Sequence, residues 1–482
     1  MSDIKNKTIN GLKWSAIERI ATQAIQLVVM LLLGRMLGPK AFGLIGMVAV
    51  FIAISQTFVD GGFTNALIRK VDRNEADYAT TFYSNTGVSL LCYIALFTGS
   101  PYIADFYNQP ELCNILRILG LGVIFNVFAI VQRAKLNAEM DFKTLAKASF
   151  FSISISAMIA IIFSYLEYGV WSLVIQSLSF TILNVIFLNI YNPWWPKCSF
   201  SISSFRELFG FGSKILLSSF IDNIYYNIYQ IIIGKLFSVD QLGWFSQAKN
   251  LASMPAMTLT VIIQRVTYPM MSNIQDDREA LSQSYLLTLR FAAAVIFPLI
   301  LGLGIIAKPL ILLLLGSDWT ESAKMMTLIC IGFMVYPINS INANLLQVKG
   351  RSDLFLRIEI FKKILTTIIL LISIPFGIIG ICIGIIIDNY CSLFINTYYS
   401  ERFSGISNRQ QFKSISVIWI LSVIASLTSS LWYIYLDNII SQLFLIVITA
   451  VLLYLSLIRI FQKDLFDYAV NVFFKKNNSK SI

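Results

Sequence analysis

Long apolar runs recur from residue 11 to residue 460, each bounded by charges, Pro or Gly, and this pattern predicts membrane-spanning helices. The predicted spans lie at 11–35, 41–65, 79–104, 112–135, 145–166, 169–190, 207–234, 241–267, 284–307, 324–347, 354–375, 378–400, 414–436 and 439–460. Each covers the ~30 Å of hydrocarbon that a helix must cross at about 1.5 Å per residue. The cut at Pro375-Phe376-Gly377 divides a run of apolar residues whose length fits two helices better than one. The expected fold is therefore an all-α integral membrane protein of about fourteen transmembrane helices.

Composition agrees and narrows the chemistry. Of 482 residues, 57% are hydrophobic and 13% charged, and mean hydropathy is +0.72; soluble chains carry about 25% charged residues. Histidine is absent, which removes the commonest general base and the commonest nitrogen ligand for metals. Six cysteines are scattered, mostly inside apolar runs and without a CxxC pair, so they predict packing rather than a disulfide framework or a metal site. No catalytic residue and no cofactor is expected. The opening MSDIKNKTINGLKW is polar and lacks a short apolar core with a cleavage site, so the first span is expected to act as an uncleaved membrane signal.

Charge sets orientation. With the N-terminus inside, 29 of the 37 lysines and arginines fall in cytoplasmic ends and loops, five fall outside, and three lie within or at the edges of spans. This split predicts both termini in the cytoplasm and an even number of helices. The net charge of +11 thus reads as a topology and anionic-lipid signal, not as a nucleic-acid footprint.

The chain also repeats. LLLGRMLGPKAFGLIG from Leu31 matches IIIGKLFSVDQLGWFS from Ile231, pairing Gly34-Arg35 with Gly234-Lys235 and Gly43 with Gly243 at a shift of 200. A softer match pairs Tyr168-Gly169-Val170-Trp171 with Phe376-Gly377-Ile378-Ile379 at a shift of 208. A unit of six helices leaves both copies in the same orientation, related by an axis along the membrane normal. The expected organisation is an N-terminal lobe at 1–190, a cytoplasmic linker at 191–206, a C-terminal lobe at 207–400, and two appended helices with a basic tail at 401–482, with a cavity between the lobes.

Polar residues within spans mark the candidate path. The first span carries Ser15, Arg19, Thr22 and Gln26 at helical spacing; the seventh carries Ser218, Asp222, Tyr225 and Tyr229 at the same rhythm. The eighth adds Ser246, Asn250, Ser253, Thr260 and Gln264, with Lys249 beside them. A central charge facing lipid costs about 2.5–3.5 kcal/mol, so these stripes are expected to face a hydrated cavity. Arg19, Lys249, Thr22, Gln26, Asn250 and Ser253 are the candidate substrate-binding residues. Asp222 serves either ion coupling or a structural ion pair; Glu18 either couples or finds a partner on a neighbouring helix. Arg117 is expected at an interface, Arg265 and Arg290 as topology anchors, and Asp388 as a buried partner. Tyr336-Pro337-Ile338-Asn339 reads as a Pro-weakened helix whose asparagines serve bending or packing.

These residues in order, with LGRMLGPKAFGLIGM, FVDGGFTNALIRK, QRAKLNAEMDFK and YGVWSLV, resemble the Wzx-type, WzxC-like polysaccharide flippases of the multidrug/oligosaccharidyl-lipid/polysaccharide exporter superfamily. The resemblance spans nearly the whole chain. It implies two six-helix lobes around a central cavity in the bacterial inner membrane. It implies movement of an undecaprenyl-pyrophosphate-linked oligosaccharide from the cytoplasmic to the periplasmic leaflet, for O-antigen, capsule or exopolysaccharide. Membrane lipids, other polysaccharide-assembly proteins and a coupling H+ or Na+ are the implied partners. Since no GxxxxGK[ST] nucleotide loop is present, an ion gradient is the expected energy source. A drug or cation antiporter of the same superfamily is the alternative reading. A polytopic polysaccharide polymerase is a further one, disfavoured because the outside loops are short.

Overall fold

The computed structural model describes residues 2–70 and 72–467, with side chains from residue 21 onward. Every regular element among the described residues is helical, and the chain packs as two compact units, Met1–Ser246 and Gln247–Ile482. The first holds α1 (Ser2–Asp60), α2 (Phe63–Arg69), α3 (Glu75–Tyr107), α4 (Glu111–Ala138), α5 (Phe142–Tyr165), α6 (Trp171–Tyr191), α7 (Ile202–Leu236) and the first turns of α8 (Val239–Asn273). The second holds the rest of α8, then α9 (Arg278–Ile305), α10 (Ala307–Leu314), α11 (Thr320–Phe333), α12 (Tyr336–Val348), α13 (Ser352–Ser373) and α14 (Gly377–Ser404). It closes with α15 (Asn408–Ser429), α16 (Trp432–Tyr435) and α17 (Ile439–Phe461).

Ten stretches among the described residues are long and apolar enough to cross a membrane. Two of them, Ala21–Arg69 and Ser352–Ser404, run for 49 and 53 residues, and each is interrupted where the sequence placed a boundary. In α1 the interruption is Gly38, at φ 70° and ψ 179°, followed by Pro39; glycine tolerates that left-handed φ and proline removes a helix donor. Between α13 and α14 it is a 3₁₀ turn, Ile374–Phe376, closed by Gly377 at φ 74°. The stretch at 324–347 breaks at Met334–Val335, because Pro337 in the first turn of α12 cannot continue the ladder of α11.

Within the first unit, α3 packs on α4, α5 on α6, and α1 on both α5 and α7. Three glycines let α7 and α8 approach α1 and α2 at backbone distance. A methyl group at Gly43 would overlap the Val239 carbonyl, one at Gly243 the Pro39 carbonyl, and one at Gly62 the Gly212 carbonyl. In the second unit α14 packs on α11, α12 and α13, while α15 lies on α9 and α17 lies on α15. α17 is held by Tyr454, whose hydroxyl donates to the Ala294 carbonyl at 2.7 Å. Most of its apolar length is left unburied within the unit.

Candidate functional site

In the first unit, polar side chains of α1 and α7 converge near the end of α1. Asn223 Nδ2 donates to Thr57 Oγ1 at 2.6 Å, and with Gln56, Asp60 and Ser219 these residues line a polar cavity of about 330 Å³. Asp60 accepts from Thr64 Oγ1 at 2.5 Å. It is also attracted to Arg133 of α4, whose Nη2 donates to Asn184 Oδ1 of α6 at 2.8 Å. The Thr64 hydroxyl and the Arg133 guanidinium offset part of the hydration that the half-buried carboxylate loses.

A second ionic cluster ties three helix ends together. Lys70 bridges Asp77 of α3 at 3.0 Å and Glu207 of α7 at 2.8 Å. The Glu207 carboxylate holds the Lys70 ammonium above the usual lysine range. Asp77 also completes a capping box with Asn74 at the start of α3. Glu75 accepts from Trp194 Nε1 at 2.9 Å and pairs with Lys135 at 3.4 Å, and the Lys135 ammonium lies over the rings of Tyr78 and Trp194. This cluster anchors the 191–206 segment to α3 and α4.

The residues singled out in the sequence fall as follows. Arg19 and Glu18 lie in α1, and their side chains are outside the described residues. Thr22 is half-buried, and Gln26 and Asp222 are exposed. Lys249 and Ser253 are buried in the second unit, at 6% and 5% exposure, whereas Asn250 is exposed. Farther along α8, Gln264 bonds to Ser340 and, at 3.4 Å, to Asn344, so its amide is used in packing α8 on α12. Arg117 donates to Ser100 at 2.9 Å and stacks over Phe97, and Asp388 accepts from Thr366 at 2.8 Å. Arg290 donates to Gln462 at 2.7 Å.

The asparagines of α12 are engaged in packing. Asn339 donates to the Asn389 carbonyl of α14 at 3.1 Å, and Asn342 donates to Thr397 at 3.0 Å. Sequence reasoning passed over Thr57, Asp60 and Asn223; the signal available was the i, i+3 spacing of Thr57 and Asp60 before the Gly61-Gly62 turn. It also passed over an apolar groove of about 430 Å³ lined by α9, α15, α17 and Pro255 of α8, with Val295, Leu299, Val447 and Tyr454 on its walls.

Comparison with known proteins places this geometry. A family model described as polysaccharide biosynthesis protein matches residues 32–324. The chain is 25% identical to the lipopolysaccharide biosynthesis protein WzxC of Escherichia coli K12, over 87% of this chain and 86% of that one. It is 25% identical to the teichuronic acid biosynthesis protein TuaB of Bacillus subtilis, over 73% and 74% of the two chains. With the succinoglycan biosynthesis transport protein ExoT of Rhizobium meliloti the identity is 24%, over 68% and 67%. Among solved structures, the lipid II flippase MurJ in an inward closed conformation superposes with a TM-score of 0.76 at 15% identity, covering 93% of this chain and 99% of that one. An inward-facing multidrug resistance transporter of the MATE family gives 0.63 at 15% identity, covering 81% and 99%. The fold is that of these transporters.

Proposed function

The chain belongs to the polysaccharide biosynthesis protein family, and from that premise we propose that it is a flippase for an undecaprenyl-pyrophosphate-linked oligosaccharide. It moves this cargo from the cytoplasmic to the periplasmic leaflet by alternating access, supplying O-antigen, capsule or exopolysaccharide synthesis. The observation that carries the reading is in α8. Buried Lys249 precedes Pro255 by six residues, about 9 Å of helix rise, and Pro255 lines the apolar groove against α9, α15 and α17. A cation for a pyrophosphate and an apolar trough for a polyprenyl chain thus lie on one helix. The names of WzxC, TuaB and ExoT support the cargo class, and that of MurJ supports the act of flipping a lipid.

In this reading the helices number fourteen: the ten apolar stretches, one more for each of the two double-length ones, and α7 and α8, which are 35 residues each. Both termini are cytoplasmic and the membrane is the bacterial inner membrane. Lobes at 1–190 and 207–400 are joined by the 191–206 linker and share a pseudo-two-fold axis, with 401–482 appended. The reciprocal Gly43–Val239 and Gly243–Pro39 contacts support that axis, since each is the other displaced by 200 residues. Arg19, Thr22, Gln26, Lys249, Asn250 and Ser253 line the path, and Asp222 and Glu18 couple it to H+ or Na+. Other polysaccharide-assembly proteins receive the cargo.

Deletion in a strain without paralogues is expected to leave lipid-linked oligosaccharide on the cytoplasmic leaflet; normal translocation there would overturn the reading. One observation favours the alternative, an ion-coupled drug or cation antiporter: the Asp60 cavity is carboxylate-bearing and polar. Efflux of an organic cation from proteoliposomes, with no flipping of lipid-linked sugar, would select it.

A further inference from the structure

A second groove, of about 690 Å³, lies apart from the path just described. It is formed by the first turns of α13, the last turns of α14 and the first turn of α15. Its walls are apolar and aromatic: Phe361, Phe394 and Phe412, with the Phe394 and Phe412 rings 5.0 Å apart. Phe361 and Phe394 are 56% and 59% exposed, so the groove presents open aromatic surface. Polar groups occupy one end. Arg357 lines the groove and makes no hydrogen bond or ion pair to any described residue. Asn408 Oδ1 is buried there without a partner among the described residues, and Tyr398 accepts from Arg402 at 3.2 Å.

Charge around the groove is one-sided. Residues 349–363 and 401–413 carry eight lysines and arginines against three carboxylates. Arg351 is neutralised by Asp353, with both oxygens at 3.0 Å, and Lys362 by Glu359, so Arg357 is the cation in the groove wall left with an unmatched charge. It stands five residues into α13, about 8 Å of rise from the helix start.

We propose that this groove binds an anionic phospholipid, with its phosphate on Arg357 and its acyl chains along Phe361 and Phe394. A free phosphate would leave the aromatic walls unused. A zwitterionic lipid would bring a cation into a collar that is already positive. The inference does not depend on the cargo.

The test uses the full-length protein, delipidated in detergent and offered equal phosphatidylglycerol and phosphatidylcholine, with bound lipid counted by native mass spectrometry. Phosphatidylglycerol is expected to be retained over phosphatidylcholine by about tenfold, the worth of one hydrogen-bonded charge contact. Arg357→Ala should abolish that preference and Arg357→Lys keep part of it. Ile395→Trp, which fills the groove without altering charge, should lower retention. Arg459→Ala, at the end of α17, should change nothing. Thermal melts in phosphatidylcholine check that each variant is folded. Equal retention of the two lipids by the native protein, an unchanged preference in folded Arg357→Ala, or an equal loss in Arg459→Ala would each overturn the proposal.

Discussion

Gly43 of α1 lies against the carbonyl of Val239 with no room for a β-carbon, and 200 residues on, Gly243 lies in the same way against the carbonyl of Pro39. Between them Gly46 faces Ser246, its own counterpart at that shift, and a methyl group there would lie 3.2 Å from Ser246 Oγ. A contact that maps onto itself when its partners are exchanged is what the proposed two-fold relation would produce. The glycines paired by the sequence match at a shift of 200 are residues through which the two matched segments touch.

Gly43→Ala and Gly243→Ala should each lower the melting temperature, because the obstructing atom is backbone and overpacking of this kind costs about 1–3 kcal/mol. Gly87→Ala and Gly99→Ala in α3 meet nothing within 4 Å and should be neutral or slightly stabilising. The double variant Gly43→Ala/Gly243→Ala should cost less than the sum, since the first displacement opens the contact for the second. Melting curves in detergent decide, and equal behaviour of Gly43→Ala and Gly87→Ala would sink the idea.

Tyr285 supplies a second test, in the other unit. Its fully buried hydroxyl lies 2.7 Å from Asn342 Oδ1, 2.9 Å from Gln411 Oε1 and 3.0 Å from Ser400 Oγ, joining α9, α12, α14 and α15. Tyr285→Phe keeps the ring and strands Asn342 Oδ1, whose amide nitrogen is already committed to Thr397, while Gln411 Oε1 retains Ser400 as a donor. The loss should be about 1–3 kcal/mol, read as a lower melting temperature. An unchanged melt would mean that the acceptors find other donors.

How much of this was legible depends on whether a feature interrupts the apolar pattern. Gly38-Pro39, Pro337 and Pro375-Phe376-Gly377 carry residues that cannot continue a helix, so their breaks were visible in the chain itself. The short α10 was not separable by hydropathy, because the turn that isolates it, at Ile306, lies in apolar surroundings. Spacing grouped Asn250 with Ser253, yet the fold buries Ser253 and Lys249 and leaves Asn250 exposed. A period identifies a stripe but not which neighbour covers it. Asp60 escaped notice because the cation that attracts it, Arg133, comes from α4, and the residue that completes its cavity, Asn223, reaches Thr57 across 166 residues.

Asp60 and Arg133 should prove coupled. Arg133→Met removes the guanidinium that attracts the half-buried carboxylate, and the melting temperature should fall. Asp60→Asn in the same chain removes the stranded charge and should recover part of the loss. A double-variant melt no higher than that of Arg133→Met alone would count against the coupling.

Transport itself bears on Lys249. A buried ammonium in a membrane helix is retained at a cost in insertion, so it is expected to serve either the cargo or the packing, and the two roles separate by substitution. Lys249→Met preserves the length and apolar stem of the side chain and deletes the charge. If Lys249 holds the pyrophosphate, flipping measured in proteoliposomes should fall by about tenfold or more while the melting temperature holds or rises. Lys249→Arg should then keep much of the activity, since a guanidinium also binds phosphate. A packing role gives the opposite pair: a lower melting temperature in Lys249→Met, with flipping per folded molecule unchanged. Arg19→Ala, assayed beside it, should reduce flipping in the same way, and normal transport in both variants would remove these two cations from the path.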